Sequence, residues 1–229
     1  MDAPLHIAID GPVGAGKSDI SSSLANNLGI TYVYTGAMYR AVAYACITNN
    51  VDPHDKKKVL ALLSGLAIRF EPPGIHSNHP VKVMLNAVDV TDELFTPAAD
   101  SITPIVSSIS EVRHEMVKLQ QTQAEGKSVV MEGRDIGLRV LPDAQLKIYL
   151  IASLEVRSKR RFKQFQKKGI QKTLEEVIED TKQRDLQDTM RAVDPLKKLP
   201  DAWELDTTHL SQDQVIAAIK QELSNRGLL

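Results

Sequence analysis

The chain has 229 residues, a formal net charge of −1 and a single cysteine, Cys46. This length is enough for one large domain, or for one domain with an insert. The balanced charge gives no reason to expect a nucleic-acid polymer as partner, and one cysteine excludes a disulfide framework. Because the sequence shows neither a signal peptide nor an apolar run of about 20 residues, we predict a cytoplasmic protein that does not contact membranes.

The first predicted elements are a buried strand in "LHIAID" (5–10) and a helix in "SDISSSLANNLG" (18–29), which has apolar residues at helical spacing. Between them, "GPVGAGKS" matches the pattern G-x-x-x-x-G-K-[ST] without a gap. Strand, glycine loop and helix form the context in which this pattern wraps the phosphates of a nucleotide. The predicted nucleotide-binding residues are Gly11, Pro12, Val13, Gly14, Ala15, Gly16, Lys17 and Ser18.

Two side chains of this loop have distinct predicted roles. Lys17 is expected to reach the β- and γ-phosphates, and the Ser18 hydroxyl is expected to bind Mg²⁺. The helix that begins near Lys17 points its positive end at the same place, which favours a bound phosphate. A glycine-rich turn without a ligand is the alternative interpretation.

Four further apolar runs are typical of buried strands: "TYVY" (31–34), "SVVM" (128–131), "LKIYLIA" (146–152) and "AWELD" (202–206). Helical patterns lie between them, and this alternation predicts an α/β fold with a central parallel sheet. The region 66–95 breaks the alternation, because β-rich patterns surround the turn-rich "EPPGIHSNHP" (71–80). We expect a small antiparallel sheet there, with a long loop as the alternative.

The region 153–168 differs in charge, since it carries seven lysines and arginines against one glutamate. Its arginines fall at helical spacing, and a second helical pattern, in "KQRDLQDTMR" (182–191), brings two arginines and an aspartate to one predicted face. Together the two helices are typical of a clamp for anionic groups, although a solvated charged surface is the usual interpretation of such a run. The two sets are Arg157, Arg160 and Arg161, and Arg184, Asp188 and Arg191.

A nucleotide loop and an arginine clamp together suggest phosphoryl transfer, which depends mostly on positioning and on neutralising charge with Mg²⁺, Lys and Arg. Arg40, Arg113 and Arg134 lie outside the loop, in "YTGAMYRAV", "SEVRHEM" and "EGRDIG". The first and last of these stretches follow predicted strands, at the sheet edge where ligands bind in open α/β folds. We interpret the three arginines as the site of a second, phosphate-bearing ligand, whose anionic oxygen needs no general base.

Nine short motifs occur along the chain: "DGPVGAGKS" (10–18), "TGAMYRA" (35–41), "VR" (112–113), "GRDIG" (133–137), "PDA" (142–144), "RSKRR" (157–161), "RDLQD" (184–188), "RAVDPL" (191–196) and "LDTT" (205–208). With this set the chain resembles, over essentially its whole length, the bacterial cytidylate (CMP) kinases, a family of P-loop nucleoside monophosphate kinases. The loop alone is shared by many families, whereas "TGAMYRA", "PDA" and "LDTT" are far more specific.

The resemblance implies transfer of the ATP γ-phosphate to CMP or dCMP, with Mg²⁺. It implies a P-loop core of residues 1–36 and 106–229, with a five-stranded parallel sheet in the order 2-3-1-4-5. It also implies a nucleoside-monophosphate-binding insert at 37–105 and a short helical lid near 153–170. No partner other than these small molecules is expected. The lack of heptads and of an apolar surface stripe leads us to expect a monomer.

The resemblance also assigns roles to individual side chains. Arg40 and Arg134 would bind the acceptor phosphate, and Arg191 would approach the transferring group. Arg113 and Asp135 would read cytosine, while Arg184 and Asp188 would hold the sugar and the nearby phosphate. Arg157, Arg160 and Arg161 would close the lid over the donor phosphates, and Thr35 and Tyr39 are further expected substrate contacts. Lys17 and the arginines at 134, 157, 160, 161 and 191 form the expected catalytic set.

The assignment of Asp135 to the base has chemical support of its own. The N4 amine of cytosine is a hydrogen-bond donor that a carboxylate accepts, whereas uracil would set its O4 lone pairs against the Asp135 carboxylate. Capping of a helix is the alternative role for this residue, since aspartate is a favoured N-cap.

Three positions depart from the family pattern. Tyr34 stands where an acidic residue usually precedes T-G-A-M-Y-R, Pro104 stands where a base-contacting serine is expected, and Leu138 replaces the last residue of G-R-D-I-G-T. The first two changes are expected to affect acceptor contacts and to leave the donor loop untouched.

Two other functions compete with this hypothesis. A kinase for UMP, dTMP or a nucleoside would make poor use of the Arg113–Asp135 pair. A nucleotide-binding switch protein would need an N-K-x-D guanine reader, and the sequence contains none.

Overall fold

The computed structural model describes residues 3–71, 79, 81–167, 169–191 and 193–229. Within these residues the strands, numbered in chain order, are His6–Asp10 (β1), Thr31–Tyr34 (β2), Ile68–Glu71 (β3), Lys82–Leu85 (β4), Val88–Asp89 (β5), Val129–Gly133 (β6), Leu146–Ile151 (β7) and Trp203–Asp206 (β8).

The α-helices of the described residues are Lys17–Leu28 (α1), Thr35–Thr48 (α2), Lys56–Leu63 (α3), Pro97–Ser108 (α4), Ser110–Ala124 (α5), Leu154–Lys167 (α6), Leu174–Met190 (α7) and Gln212–Asn225 (α8). A 3-10 turn covers Glu93–Phe95, and a π-helical turn covers Ile136–Val140. Among the segments that the structure describes, none of these helices is long and apolar enough to cross a membrane.

Two compact units divide the chain, one of residues 1–32 and 126–229 and the other of residues 33–125. The first unit is built on a sheet in the order β2-β6-β1-β7-β8. Strand β1 pairs in parallel with both β6 and β7, and β7 pairs in parallel with β8. This confirms the predicted α/β fold. The order is 2-3-1-4-5 when the core strands are counted alone, and the labels differ because β3, β4 and β5 belong to the other unit.

The core of the first unit lies where α1 and α8 pack on the sheet. Burial explains the apolar sequence of β1, whose residues after His6 are all buried, since a parallel sheet covered by helices shields its central strand from water. In β7 buried and half-buried residues alternate. Ile9 of β1, Leu150 of β7, Leu24 of α1 and Ile219 of α8 are all fully buried in one apolar cluster.

The second unit contains the predicted small antiparallel sheet, in the order β3-β4-β5. Ile68 of β3 pairs with Leu85, and Met84 of β4 pairs with Asp89. The expected turn at 71–80 lies almost entirely outside the described residues. Helices α2 to α5 supply the rest of this unit, and Cys46 of α2 is a buried free thiol, as predicted.

The two arginine-bearing segments are helical, as their spacing predicts, in α6 and α7. Helix α7 opens with a capping box in which Thr173 and Glu176 exchange hydrogen bonds with each other's backbone. It ends at Met190, and Arg191 caps it with an extended backbone, at φ −60° and ψ 141°. The expectation that Arg184, Asp188 and Arg191 share one helical face is therefore wrong for Arg191.

Candidate active site

The candidate donor site lies at the carboxyl edge of the parallel sheet. The glycine loop follows β1, the "GRDIG" stretch follows β6, helix α6 follows β7, and Thr207 follows β8. Because parallel strands all end at the same edge, these four segments meet there, where ligands bind in open α/β folds.

The backbone of the loop has the shape of a phosphate cradle. Gly14 and Gly16 have φ values of 76° and 93°, in the left-handed region that favours glycine. A Cβ at Gly14 would lie 2.9 Å from the carbonyl oxygen of Arg157, so no larger residue fits there without a shift. Gly16 is the N-cap of α1, and it offers no capping side chain to the amides of the first turn. Those amides and the helix dipole favour a bound anion.

Lys17 is buried beside the loop, with 5% of its surface exposed. Its ammonium donates a hydrogen bond of 2.8 Å to the carbonyl oxygen of Pro12. Burial, and next the charge of Arg134, lower the pKa of Lys17 to about 7, although carboxylates such as Glu132 act in the opposite direction. A bound polyphosphate would favour the charged form, because an opposite charge nearby raises the pKa of an amine.

Glu132, at the end of β6, is a site residue that the sequence analysis missed. Its carboxylate accepts a hydrogen bond of 3.0 Å from the Ser18 hydroxyl, and its side chain is buried. The sequence does contain a signal for Glu132, because a carboxylate at the end of an otherwise apolar strand, directly before "GRDIG", is unusual. One hydroxyl and one carboxylate suit Mg²⁺, which binds few protein oxygens and completes its shell with water and substrate phosphates. Within the described residues no group of three acidic, histidine or cysteine side chains could hold a metal without such help.

Asp10, at the end of β1, was also missed as a site residue. Its two carboxylate oxygens accept backbone hydrogen bonds from Ile136 and Gly137, each of 2.9 Å. Burial raises the pKa of Asp10 to about 6, while the two backbone hydrogen bonds lower it. Asp10 thus ties the start of the donor loop to the π-helical turn that follows Asp135.

A partly buried network joins "GRDIG" to α7, with Asp188 as its buried member. Arg134 donates through Nε to Asp188 at 2.6 Å, and Arg184 lies on the other oxygen of the same carboxylate at 3.6 Å. Burial alone would raise the pKa of Asp188, yet the charges of Arg134 and Arg184 hold it below its usual value. The structure thus brings together three of the predicted acceptor-site residues.

Asp135 and Arg191 are also brought together, with 3.2 Å between the Asp135 carboxylate and a terminal nitrogen of Arg191. Asp135 precedes the π-helical turn as its N-cap residue, but its side chain makes no capping hydrogen bond. The capping role that competed with base reading is therefore not what the Asp135 carboxylate performs here. Leu138, one of the departures from the family pattern, lies in the turn itself.

The three α6 arginines contact protein groups around the donor loop. Arg157 is buried, donates to the carbonyl oxygen of Val13 at 3.0 Å and pairs with Asp185 at 2.7 Å. Arg160 donates to the carbonyl oxygen of Ala15 at 3.2 Å. It also bonds both the hydroxyl and the carbonyl oxygen of Thr207, a site contact that the sequence analysis did not assign. Two of the three expected lid arginines therefore contact the loop backbone directly.

Arg161, the third of this set, reaches α7 instead. It donates to the Thr181 hydroxyl at 2.6 Å, and its guanidinium lies 5.7 Å from the centre of the Phe165 ring. Its expected contact with donor phosphates stays a prediction.

In the second unit, Arg40 extends from α2 into a small cluster. Its guanidinium donates to the carbonyl oxygen of Leu94 at 3.0 Å, pairs with Asp100 of α4, and lies over the Phe95 ring at 5.2 Å. Tyr34 stacks on the same ring at 6.0 Å. The tyrosine that replaces an acidic residue of the family pattern therefore packs against the ring that supports Arg40.

Arg113, the other expected base reader, is 97% buried in α5, since only 3% of its surface is exposed. It donates to the carbonyl oxygen of Ser107 at 3.4 Å, and its guanidinium lies 5.8 Å from the Tyr39 ring. Thr35 opens α2 and is buried as well. Pro104 lies inside α4, where it has no N–H to donate to the carbonyl of Asp100.

A parallel α/β sheet with a glycine loop of the pattern G-x-x-x-x-G-K-[ST] after its central strand defines a P-loop α/β fold. A family model described as cytidylate kinase matches residues 7–225. A cytidylate kinase of Lactobacillus johnsonii is 43% identical over 222 residues, which cover 97% of this chain and 95% of that protein. One from Bacillus cereus is 42% identical over 224 residues, 98% of each chain. The chain belongs to the cytidylate kinase family and is thus a nucleoside monophosphate kinase.

The likeness to one solved structure concerns the fold alone. An uncharacterized protein from Eubacterium ventriosum superposes with a TM-score of 0.51 and 13% identity, over 97% of this chain and 99% of that one.

Proposed function

We propose that this protein transfers the γ-phosphate of ATP to CMP, and also to dCMP, and releases ADP with CDP or dCDP. The observation that supports this proposal best is the pair of sites in the first unit. A cradle for the donor phosphates lies at the same sheet edge as Arg134, Asp135, Asp188 and Arg191. In this proposal the protein works in the cytoplasm as a monomer.

On the donor side, the amides of the loop and the start of α1 bind the phosphates of ATP. Lys17 exchanges the Pro12 carbonyl for the β- and γ-phosphates, and the low exposure of its ammonium strengthens that attraction. Ser18 and Glu132 would hold Mg²⁺, which neutralises phosphate charge when it is bound. Arg157 and Arg160 keep the loop carbonyls of Val13 and Ala15 turned away from the phosphates.

On the acceptor side, Arg40 and Arg134 bind the CMP phosphate, with Thr35 and Tyr39 as neighbouring contacts. Arg191 approaches the transferring group, where charge develops in the transition state. The attacking oxygen of CMP is already an anion at neutral pH, so no side chain has to remove a proton. Arg184 and Asp188 hold the sugar, and Arg161 completes the lid.

The base is read by two residues of opposite charge. The Asp135 carboxylate accepts a hydrogen bond from the N4 amine of cytosine, and the Arg113 guanidinium donates hydrogen bonds to O2 and N3. In the absence of substrate, Asp135 pairs with Arg191. Cytosine therefore has to replace Arg191 as the partner of one Asp135 carboxylate oxygen. Uracil and thymine present O4 instead of the amine, and the carboxylate rejects them.

Product analysis tests the proposal directly. The purified protein is given ATP, Mg²⁺ and equal amounts of CMP, dCMP, UMP and dTMP, and the diphosphates are separated. CDP and dCDP are expected as the main products. UDP or dTDP as the main product would establish the alternative kinase, and phosphate release without any diphosphate would establish a nucleotide-binding switch.

A further inference from the structure

Two ion pairs cross between the same two segments of the first unit. The first segment is the stretch from Asp135 through the π-helical turn, and the second is the stretch that follows α7. Asp135 pairs with Arg191 at 3.2 Å, and in the opposite direction Arg139 pairs with Asp194. The first pair contains two residues of the proposed acceptor site. The second has no role in the proposed function, although it lies only three or four residues away on each segment.

Asp194 is held in a conformation that needs support. Its φ is 51°, in the left-handed region that residues other than glycine rarely adopt, with aspartate and asparagine among the tolerated exceptions. Its carboxylate is only 7% exposed and accepts a hydrogen bond from Nε of Arg139. Because an unpaired buried carboxylate is costly, the Arg139 charge stabilises Asp194 where it is.

The backbone of Asp194 reaches the proposed site directly. Its carbonyl oxygen accepts a hydrogen bond of 2.5 Å from Nε of Arg191. The guanidinium of Arg191 is therefore held at two ends, by this carbonyl at Nε and by Asp135 at a terminal nitrogen. Further along, Leu196 donates its backbone N–H to the carbonyl of Asp188 at 2.8 Å, which fixes the other end of the segment.

We propose that the Arg139–Asp194 ion pair is a positioning device for Arg191. The pair fixes the left-handed turn at Asp194, and the carbonyl of Asp194 holds Nε of Arg191. When the cytosine of the acceptor nucleotide hydrogen-bonds to Asp135, the terminal nitrogen of Arg191 becomes free to contact phosphate oxygens, while Nε keeps its hydrogen bond to the Asp194 carbonyl. Arg139 and Asp194 act only through Arg191 and do not touch the substrate. The inference rests on the proposed role of Arg191.

The test uses Asp194→Asn and Arg139→Met, with steady-state kinetics toward CMP. Asparagine keeps the size of aspartate and its tolerance of the left-handed region, so the first variant removes the charge alone. We expect kcat and kcat/KM to fall together, by about tenfold, because misplacing a catalytic group by about 1 Å can cost roughly a hundredfold. Glu222→Gln and Arg226→Met break another pair of this unit, of 2.7 Å between α8 and the residue that follows it, and should leave kcat unchanged.

The decisive measurement repeats Asp194→Asn in an Arg191→Met background. A residue that acts through Arg191 has no further effect once that guanidinium is gone. An unchanged kcat of Asp194→Asn in the wild-type background, or an equal fall in both backgrounds, would overturn the inference. Products of the wild-type protein test the proposed function separately. If another monophosphate is the substrate, that proposal fails, and the same kinetic comparison is made with the monophosphate that is used.

Discussion

The lysine of the donor loop donates to a backbone carbonyl, whereas three arginines of the proposed acceptor site are paired with carboxylates. Lys17 donates to the carbonyl of Pro12. Arg134, Arg191 and Arg40 are paired with aspartates of the protein. An incoming phosphate displaces a neutral partner at the loop and competes with an anion at the arginines. Changes at the loop should therefore abolish the reaction, while changes around the arginines should tune it.

Lys17→Ala tests the donor side of this comparison and carries the largest expected effect. Turnover should fall at least a hundredfold, the scale of losing one donor to developing charge. Burial disfavours the Lys17 charge in the folded protein, so the melting temperature should not fall with the activity. Lys220→Ala, at an exposed position of α8, is the control and should keep full turnover. If Lys17→Ala retained more than about a tenth of the wild-type rate, the loop would not be the donor site.

Asp135→Asn tests one of the carboxylates that faces an arginine. The amide can turn and donate to O4 of uracil, which the carboxylate cannot do. One good base contact is worth about 1–3 kcal/mol of discrimination, so the CMP/UMP ratio of kcat/KM should collapse by about tenfold to a hundredfold. The kcat/KM for CMP should fall as well, because a neutral amide oxygen accepts the hydrogen bond of the cytosine N4 amine less strongly than a carboxylate does.

Asp143→Asn is the control for this variant, since Asp143 is an exposed aspartate of the same unit. Its CMP/UMP ratio should equal that of the wild type. If Asp135→Asn kept the wild-type ratio and only melted earlier, cytosine would be read elsewhere.

The sequence predicts the donor side better than the acceptor side for a physical reason. The loop is one continuous stretch whose conformation follows from its own glycines and the helix after it, so its pattern is visible in eight residues. Several partners of the arginines lie far away in the chain: Arg134 and Asp188 are 54 positions apart, as are Arg40 and Leu94. Only the folded structure shows that Glu132 accepts a hydrogen bond from the Ser18 hydroxyl, or that Asp10 accepts two hydrogen bonds from backbone amides of the π-helical turn.

The same reason explains the remaining differences. Apolar runs predicted the five core strands, because those strands are buried in the sheet, and helical spacing predicted the helices, because one face of each packs on its neighbours. Helical spacing also placed Arg191 on the face of α7, because the pattern of charges continues beyond Met190 while the helical backbone does not. Nothing in the spacing indicates a left-handed aspartate at 194 or its pairing with Arg139.

Pro104→Ser tests one of the positions where the acceptor side departs from the family pattern, and its expected effect is smaller. A restored hydroxyl contact to the base is worth about 0.5–1.5 kcal/mol, so KM for CMP should fall about two- to twelvefold at constant kcat. The change also returns an N–H to the interior of α4, which by itself stabilises the helix. Pro104→Ala returns the N–H without the hydroxyl and is the matched control. Equal KM values for the serine and alanine variants would show that position 104 does not face the base.

Asp100→Asn carries the smallest expected effect and addresses the comparison most directly. Asp100 pairs with Arg40, and its side chain is 39% exposed. Ion pairs of such exposure contribute about 0.2–1 kcal/mol, so removing the competing anion should lower KM for CMP by about 1.4- to fivefold and leave kcat unchanged.

Helix electrostatics offers a second explanation for any effect of Asp100→Asn, because Asp100 lies in the first turn of α4 and a negative charge there stabilises the helix. Glu111→Gln controls for this, since Glu111 lies in the first turn of α5 and pairs with Lys56. A shift in melting temperature common to both variants would come from the helix termini, whereas a lower KM should belong to Asp100→Asn alone. A higher KM would reverse the interpretation: Asp100 would then orient Arg40 for the phosphate, as the Leu94 carbonyl and the Phe95 ring do, and would not compete with it.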